Sequence, residues 1–389
     1  MSSPVRVLHI ISGLGVGGAE MLLYQQLASL RREQVESYVI ALRGGPVAEK
    51  IAALGVPVEI IEFEKLFNAP MSLLRLTWRV RAIAPDLVQT WMYHGDLFGG
   101  IAVKLAQPLN PRIPVLWNVL MSKIDPAYIK FETRLVIRAC AVLSHVLPEV
   151  IIVNHEAARL NHVALGYSGK KFALIPSSFD PDKFLPDPVA RAELRNSLGI
   201  SPDALVVGIA GRIDPAKDFG NFFAAGREVC ETKSQVVLMA CGEGISMDNP
   251  QIQEWLEGIA PSQVRVLGRQ SDMPRFWAAV DVGVSSSLSE GFSLAIGEAM
   301  STGIPCAVTD VGDSSRVVGE TGLTVPPQNS HALALAILTL LDMRPESRQQ
   351  LGALARQRVI DNYSLTIVTN AFLKLWQDVL SKRKMTYKG

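Results

Sequence analysis

The sequence predicts an α/β protein of two Rossmann-like, doubly wound domains, and three observations carry that expectation. At 389 residues the chain exceeds what one ordinary hydrophobic core organises. Apolar runs of strand length alternate with helical patterns from end to end, the signature of parallel sheets covered by helices. Between two such series lies a break, Ile175-Pro-Ser-Ser-Phe-Asp-Pro-Asp-Lys-Phe-Leu-Pro-Asp-Pro188, rich in proline and turn formers and without periodicity, which reads as a linker.

In the first half the strand candidates are residues 5–12, 37–42, 58–61, 87–90, 115–118, 150–153 and 172–175. The second half opens with Ala204-Leu-Val-Val-Gly-Ile-Ala210 and continues through 235–240, 264–267, 280–285, 305–308 and 323–325. The expected domains are therefore 1–185 and 186–365, followed by a C-terminal helix, 366–389. Over the last stretch, Asn362 to Leu380, Tyr363, Phe372, Leu375 and Trp376 share a helical pattern. It fits a surface helix of the second domain as well as one crossing back to clamp the first.

Composition narrows the function classes. Hydrophobic residues at 48% and charged residues at 19% describe a globular, well-buried chain. A net charge of +1 gives no reason to expect nucleic acid. Residues 1–186 are mildly basic, with 19 Lys+Arg against 15 Asp+Glu. That asymmetry suits an anionic membrane surface or an acidic acceptor, or simply reflects surface composition. Cys140, Cys230, Cys241 and Cys306 form no CxxC pair and read as small buried hydrophobes in a reducing compartment. The N-terminus lacks a signal-peptide core. The most apolar window, 135–153, contains Arg138, His145, Pro148 and Glu149 and makes a poor membrane span. A cytoplasmic protein is expected, with membrane contact at its surface at most.

Ser12-Gly-Leu-Gly-Val-Gly-Gly-Ala-Glu20 holds a Gly-x-Gly-x-x-Gly pattern between a strand and a helix, the glycine fingerprint of dinucleotide binding. An NAD site also needs a carboxylate about 20 residues on, at the end of the second strand. That strand is followed by Arg43-Gly-Gly, with no acid. Arg43 suits the extra phosphate of NADP, so an oxidoreductase stays as a rival, but the adjacent Gly17 and Gly18 equally let a backbone approach another phosphate ligand.

Two stretches of the second half carry chemistry. In Gly211-Arg212-Ile-Asp-Pro-Ala-Lys217, directly after a strand, Arg212 and Lys217 either converge on a diphosphate, as a fork and a point charge, or are two solvated surface charges. Ser285-Ser-Ser-Leu-Ser-Glu290-Gly-Phe-Ser-Leu-Ala-Ile-Gly-Glu298-Ala-Met runs from a strand end through a polar loop into a helix. The backbone N–H groups around Phe292, Ser293 and Leu294 offer an anion site at the helix start. Glu290 and Glu298 then reach different hydroxyl-bearing parts of one ligand whose phosphates rest on that terminus. The bland alternative is a helix-terminal charge and a surface carboxylate.

Together, Glu290-x7-Glu298, the Gly211-Arg212…Lys217 loop and the Gly17-Gly18-Ala-Glu loop resemble the retaining GT-B glycosyltransferases of family 4, also called glycosyl transferases group 1. Val150-Ile-Ile-Val-Asn-His-Glu, Ile175-Pro-Ser-Ser-Phe-Asp180 and Val308-Thr-Asp-Val-Gly312 look like further signposts, so the resemblance spans essentially the whole chain. It implies a GT-B fold, two Rossmann-like domains facing a cleft, with a sugar nucleotide held mainly by the second. Arg212 and Lys217 would hold the donor diphosphate, helped by the backbone at Phe292, Ser293 and Leu294. Glu298 would take the ribose hydroxyls, and Glu290 with Gly291 the transferred sugar. Gly17 and Gly18 would approach the diphosphate as the cleft closes.

Two departures stand out. The family often has His after the fourth strand; here Trp91 occupies the equivalent position, with His94 three residues later as the candidate catalytic substitute. The family's Pro-Asn-Gly turn is Pro176-Ser177-Ser178. No metal-ligand cluster stands out, so the expected chemistry uses no metal and no cofactor. The expected donor is a nucleoside-diphosphate sugar, UDP before GDP, and the acceptor a glycan or lipid-linked glycan of a bacterial surface polymer. A UDP-sugar epimerase of the same fold and a non-catalytic nucleotide-sugar binder are the alternatives. The loops 63–72 and 120–128, where an acceptor would be met, carry no readable code. Met71, Leu73, Leu74 and Leu76 beside Arg75, Arg79 and Arg81 fit either helical core with solvated arginines or a peripheral contact with the inner membrane surface.

Overall fold

The parallel strands read from the apolar runs all form, with ends shifted by no more than a residue or two. The computed structural model describes residues 4–31, 33–63, 69–107, 113–121 and 130–386. The chain makes two units, Met1–Ser178 with Leu365–Gly389, and Phe179–Ser364. It leaves the first unit inside the segment read as a linker and re-enters it after Ser364.

The sheet of the first unit has seven parallel strands: β1 (Val5–Ile11), β2 (Val35–Ala41), β3 (Val58–Ile60), β4 (Leu87–Trp91), β5 (Val115–Asn118), β6 (Val150–Val153) and β7 (Phe172–Leu174). Their order is β3-β2-β1-β4-β5-β6-β7, so the winding reverses between β1 and β4. Right-handed crossovers then put α1 (Gly18–Ser29) and α2 (Val47–Ala53) on one face. On the other lie α3 (Ala69–Ile83), α4 (Met92–Ala106), α5 (Phe131–Leu143) and α6 (Glu156–Ala164). The two faces bury separate apolar clusters. Leu23, Leu27, Val47 and Ile51 pack on one, and Leu76, Val80, Ala102, Val103 and Ile137 on the other.

In the second unit α7 (Pro188–Ser197) precedes β8 (Leu205–Ala210). There follow α8 (Phe219–Thr232), β9 (Val236–Cys241), α9 (Pro250–Trp255), β10 (Val264–Val266), α10 (Met273–Ala278), β11 (Val282–Ser285), α11 (Leu294–Ser301), β12 (Cys306–Thr309), α12 (Ser314–Val318), β13 (Leu323–Val325), α13 (Ser330–Asp342) and α14 (Pro345–Tyr363). Here six parallel strands run β10-β9-β8-β11-β12-β13, reversing between β8 and β11. Side-chain caps start several helices: Asp187 accepts from Val189 and Ala190 N–H, Asp272 from Arg275, and Asn329 from Ala332.

The last stretch differs from the continuous helix expected from Asn362 onward. Ser364 is extended, with ψ 152°, and breaks it. Tyr363 ends α14, in the second unit, while α15 (Leu365–Thr386) belongs to the first. There Val368, Phe372, Trp376 and Val379 join Val7, Leu87, Leu116 and Ile152 in one apolar cluster. The Trp376 indole N–H donates to Gln89 Oε1 at 2.9 Å, Ser29 and Thr369 share a hydroxyl contact of 2.5 Å, and Arg383 pairs with Glu149.

The apolar window 135–153 resolves into the end of α5, a turn and β6, and no helix among the described residues is long and apolar enough to cross a membrane. Parts of the two uncoded loops, 64–68 and 122–129, lie outside the described residues. Trp376→Ala should lower the stability of the first unit by about 3–5 kcal/mol in urea unfolding, through lost packing and the orphaned Gln89. Arg383→Ala, which removes a partly exposed ion pair, should cost no more than about 1 kcal/mol in the same measurement.

Candidate functional site

β8 and β11 are neighbours at the reversal point of the second sheet, and in an open α/β sheet the crevice beyond such strand ends takes ligands. Two loops leave there, 211–218 after β8 and 286–293 after β11. They are stitched together by main-chain contacts. Ser286 Oγ donates to the carbonyls of Lys217, at 3.0 Å, and Asp218, at 2.8 Å. Leu288 N–H donates to Ala216 O at 2.8 Å. Asp218 sits at φ +47°, in the left-handed region a non-glycine residue rarely adopts, while its carboxylate caps α8 by accepting from Asn221 N–H.

Lys217 and Glu290 meet. Lys217 Nζ lies 2.5 Å from Glu290 Oε1, and Ser287 Oγ donates to the same oxygen at 2.7 Å. The Glu290 side chain is only 9% exposed, so these two partners take the place of water at its carboxylate. Below it, Thr309 Oγ1 donates to Ser287 O at 2.7 Å, and Asp313 N–H to Gly291 O at 3.2 Å. Gly312, at φ +57°, lets the loop after β12 pass so close that any Cβ would run into the Glu290 carbonyl. Arg212 takes no part in this cluster. Its side chain is exposed and pairs with Asp214 at 3.1 Å.

α11 starts at Ser293, and no side chain among the described residues caps its first N–H groups, which stay available for an anion. Phe292 is held just before it by aromatic packing. It stacks on Phe179 with centroids 5.1 Å apart and meets Tyr363 edge-on at 5.7 Å. Gly297 has no side chain because the Phe179 ring fills the space a Cβ would need.

One and a half turns into α11, Glu298 accepts a hydrogen bond from Trp277 Nε1 at 3.2 Å. Burial pushes its carboxyl up to about 7; the Trp277 donor and the Lys183 charge oppose that rise without cancelling it. Cys241 lies close by, its own thiol pushed up to about 12 by burial and by Glu298. Glu298 is thus no solvated surface residue. Its partner Trp277 was not singled out in the sequence, where it falls between two strand candidates.

The candidates of the first unit stand at the ends of β1 and β4. Gly17 is the extended cap residue of α1, φ −157°, with the Glu20 carboxylate folded over it, and Gly18 borders open space. Trp91 is fully buried and its indole donates to His9 Nδ1 at 3.3 Å, so it faces the core. Met92 turns the chain at φ +66°. His94 follows, half-buried in the first turn of α4. Burial lowers its pKa, as does the Arg43 charge, while Glu132 acts the other way. Its imidazole is therefore neutral at neutral pH. Of the two residues at the position after the fourth strand, Trp91 is fully buried and His94 half-buried at the start of α4. Among the described residues no three His, Cys, Asp or Glu side chains converge as metal ligands.

Residues 16–183 match the model for Glycosyltransferase Family 4, and residues 204–343 that for Glycosyl transferases group 1. The chain belongs to this family: it is a glycosyltransferase with a GT-B fold. It is 24% identical over 324 residues, 81% of its length and 82% of the relative's, to the Escherichia coli UDP-Gal:α-D-GlcNAc-diphosphoundecaprenol α-1,3-galactosyltransferase. In fold it is similar to Anabaena HepE in complex with UDP, with TM-score 0.83, 19% identity and coverage of 96% of this chain and 100% of that one. The HepE complex with UDP-glucose superposes with TM-score 0.77 at 20% identity, covering 97% and 99%.

The raised Glu298 pKa has a consequence for stability. Between the ordinary value of 4.5 and about 7 the folded chain holds a proton that the unfolded chain releases, so stability is lost as pH rises through that window. Glu298→Gln should raise the melting temperature relative to wild type at pH 8, with the difference vanishing near pH 4.5. A difference independent of pH would contradict the buried-carboxyl account.

Proposed function

We propose that this glycosyltransferase moves a sugar from a UDP-sugar, with GDP the second choice of nucleotide, to a hydroxyl of a lipid-linked glycan. The reading makes it a cytoplasmic enzyme of bacterial surface-polysaccharide synthesis, working at the membrane face with retention of configuration. The observation that carries it is the convergence of Lys217, Glu290, the open start of α11 and Glu298 on the reversal point of the second sheet. Cations and a helix N-terminus are what a leaving diphosphate needs as its charge develops. Carboxylates nearby suit ribose and sugar hydroxyls. The UDP and UDP-glucose complexes of HepE, and the UDP-Gal donor and diphosphoundecaprenol carrier in the E. coli relative's name, support the donor and acceptor classes.

In this reading Lys217 and Arg212 bind the diphosphate with the Phe292, Ser293 and Leu294 N–H groups. Glu298 accepts from the ribose hydroxyls, and Glu290 and Gly291 hold the sugar. Gly17 and Gly18 contribute backbone to the diphosphate and His94 assists the transfer. The bond from the anomeric carbon to the β-phosphate oxygen breaks as the acceptor oxygen attacks from the same face, and the acceptor proton passes to the departing phosphate. No glycosyl ester forms on Glu290, and no metal is required.

Calorimetric titration with UDP should show binding that weakens about 10- to 100-fold in Lys217→Ala and in Glu298→Ala. Because ribose hydroxyls favour the anionic carboxylate, UDP binding should release protons below about pH 7, and Glu298→Gln should abolish that release. Transfer of radiolabelled sugar to a diphosphoundecaprenol-linked acceptor should survive EDTA. Affinity for NADPH alone, or an epimerised sugar formed without acceptor, would overturn the reading, and a trapped adduct on Glu290 would overturn the same-face step.

A further inference from the structure

We propose that the outer faces of α3, α4 and α5 form one surface by which the first unit binds an anionic lipid bilayer. The proposal deepens the membrane-face reading above and takes from it only the expectation that the acceptor is lipid-linked. α3 packs on α4 and α4 on α5, all on one side of the sheet. Arg81 ties the first pair by donating to Ala106 O at 3.0 Å.

α3 and α5 each turn an apolar stripe outward, and α4 adds one exposed apolar residue. On α3 it is Met71, Leu74 and Trp78, spaced i, i+3, i+7, with Trp78 63% exposed. Leu76, the neighbour that sequence pattern grouped with them, is buried instead. On α4 Leu105 is 45% exposed, while Phe98 and Ile101 are partly buried against the core cluster. On α5 they are Phe131, Leu135 and Val142, at i, i+4, i+11, with Phe131 64% and Val142 71% exposed, and Val146 lies just beyond the helix. Large apolar side chains exposed singly need no explanation, but stripes on the two helices that flank α4 do.

The charge pattern selects the occupant. α3 has no acidic residue, the only acid of α4 is the fully buried Asp96, and α5 carries only Glu132. Against these stand Arg75, Arg79, Arg81, Lys104, Arg134 and Arg138. Glu59 on β3 pairs with Arg75 and Arg79. Among the described residues no acid pairs with Lys104 or Arg138. The Arg79 guanidinium lies 5.6 Å from the Trp78 ring centroid and that of Arg134 5.7 Å from Phe131, so cationic heads sit beside exposed aromatic rings. Apolar residues that can enter the acyl boundary, rimmed by cations that meet anionic headgroups, match the interfacial pattern of a bilayer-binding face.

Vesicle sedimentation tests this without donor or acceptor. The full chain should bind phosphatidylcholine vesicles containing about 30% phosphatidylglycerol, bind pure phosphatidylcholine weakly, and release as salt rises from about 0.1 to about 0.5 M. Lys104→Ala with Arg138→Ala should weaken binding about 25-fold, from about fivefold per charge. Trp78→Ser with Val142→Ser should weaken it at least about tenfold. Both double variants should keep wild-type UDP affinity, which reports an intact fold. No binding to anionic vesicles, or binding indifferent to both variants, would overturn the proposal. So would a chain that dimerises through this face, with Trp78→Ser and Val142→Ser yielding monomer and no vesicle effect. Vesicle binding without transfer to a lipid-linked glycan would sink the proposed acceptor and leave this surface standing.

Discussion

The ion pair between Lys217 and Glu290 joins loops that leave adjacent strands at the reversal point of the second sheet. Its geometry constrains the rest of the candidate site. Ser287 shares the same carboxylate oxygen, Ser286 locks the two loops by their backbones, and Thr309 and Gly312 support them from the next strand. A nearly buried carboxylate left without its lysine would be strongly unfavourable, so the pair fixes both side chains when no ligand is present. A diphosphate offers Lys217 a competing anion. In the proposed binding mode the same residue would serve stability in the free enzyme and binding in the complex, with Glu290 released toward the hydroxyl groups of the donor.

Glu298 follows a second logic. Its environment is dry enough to raise its pKa to about 7, which costs stability at neutral pH, and the Trp277 N–H offsets only part of this. A carboxyl kept near neutrality by burial gains more from hydroxyl donors than a solvated one does, because little water must be displaced from it. Such a cost is expected at a binding site rather than in a packing core. The first unit contributes differently, through a short glycine cap on α1, a neutral His94 and a surface of three helices that is rich in cations and poor in acids.

Much of this was legible in the sequence, for identifiable reasons. Strands buried on both faces are continuous apolar runs, so all of β1 to β13 could be read. Glu290 and Glu298 stood out as candidates because their spacing straddles a helix start, and the family resemblance rested on that same stretch. What could not be read depends on contacts between distant segments. Nothing local pairs Lys217 with Glu290 across 73 residues, or Trp277 with Glu298. The break at Ser364, which sends Tyr363 to one unit and Phe372 and Trp376 to the other, is a single extended residue within an otherwise helical pattern. The solvent stripe of α5 was hidden because periodicity reveals that a helix has two faces without telling which one is covered. The burial of Trp91 against His9 is likewise a contact between distant segments.

The most direct test of the central claim is a crystal structure of the enzyme with UDP bound. The account predicts the β-phosphate within hydrogen-bond reach of the Ser293 and Leu294 N–H groups, Lys217 transferred from Glu290 to a phosphate oxygen, and the ribose on Glu298. A nucleotide bound elsewhere in the chain, with the Lys217–Glu290 pair undisturbed, would contradict it.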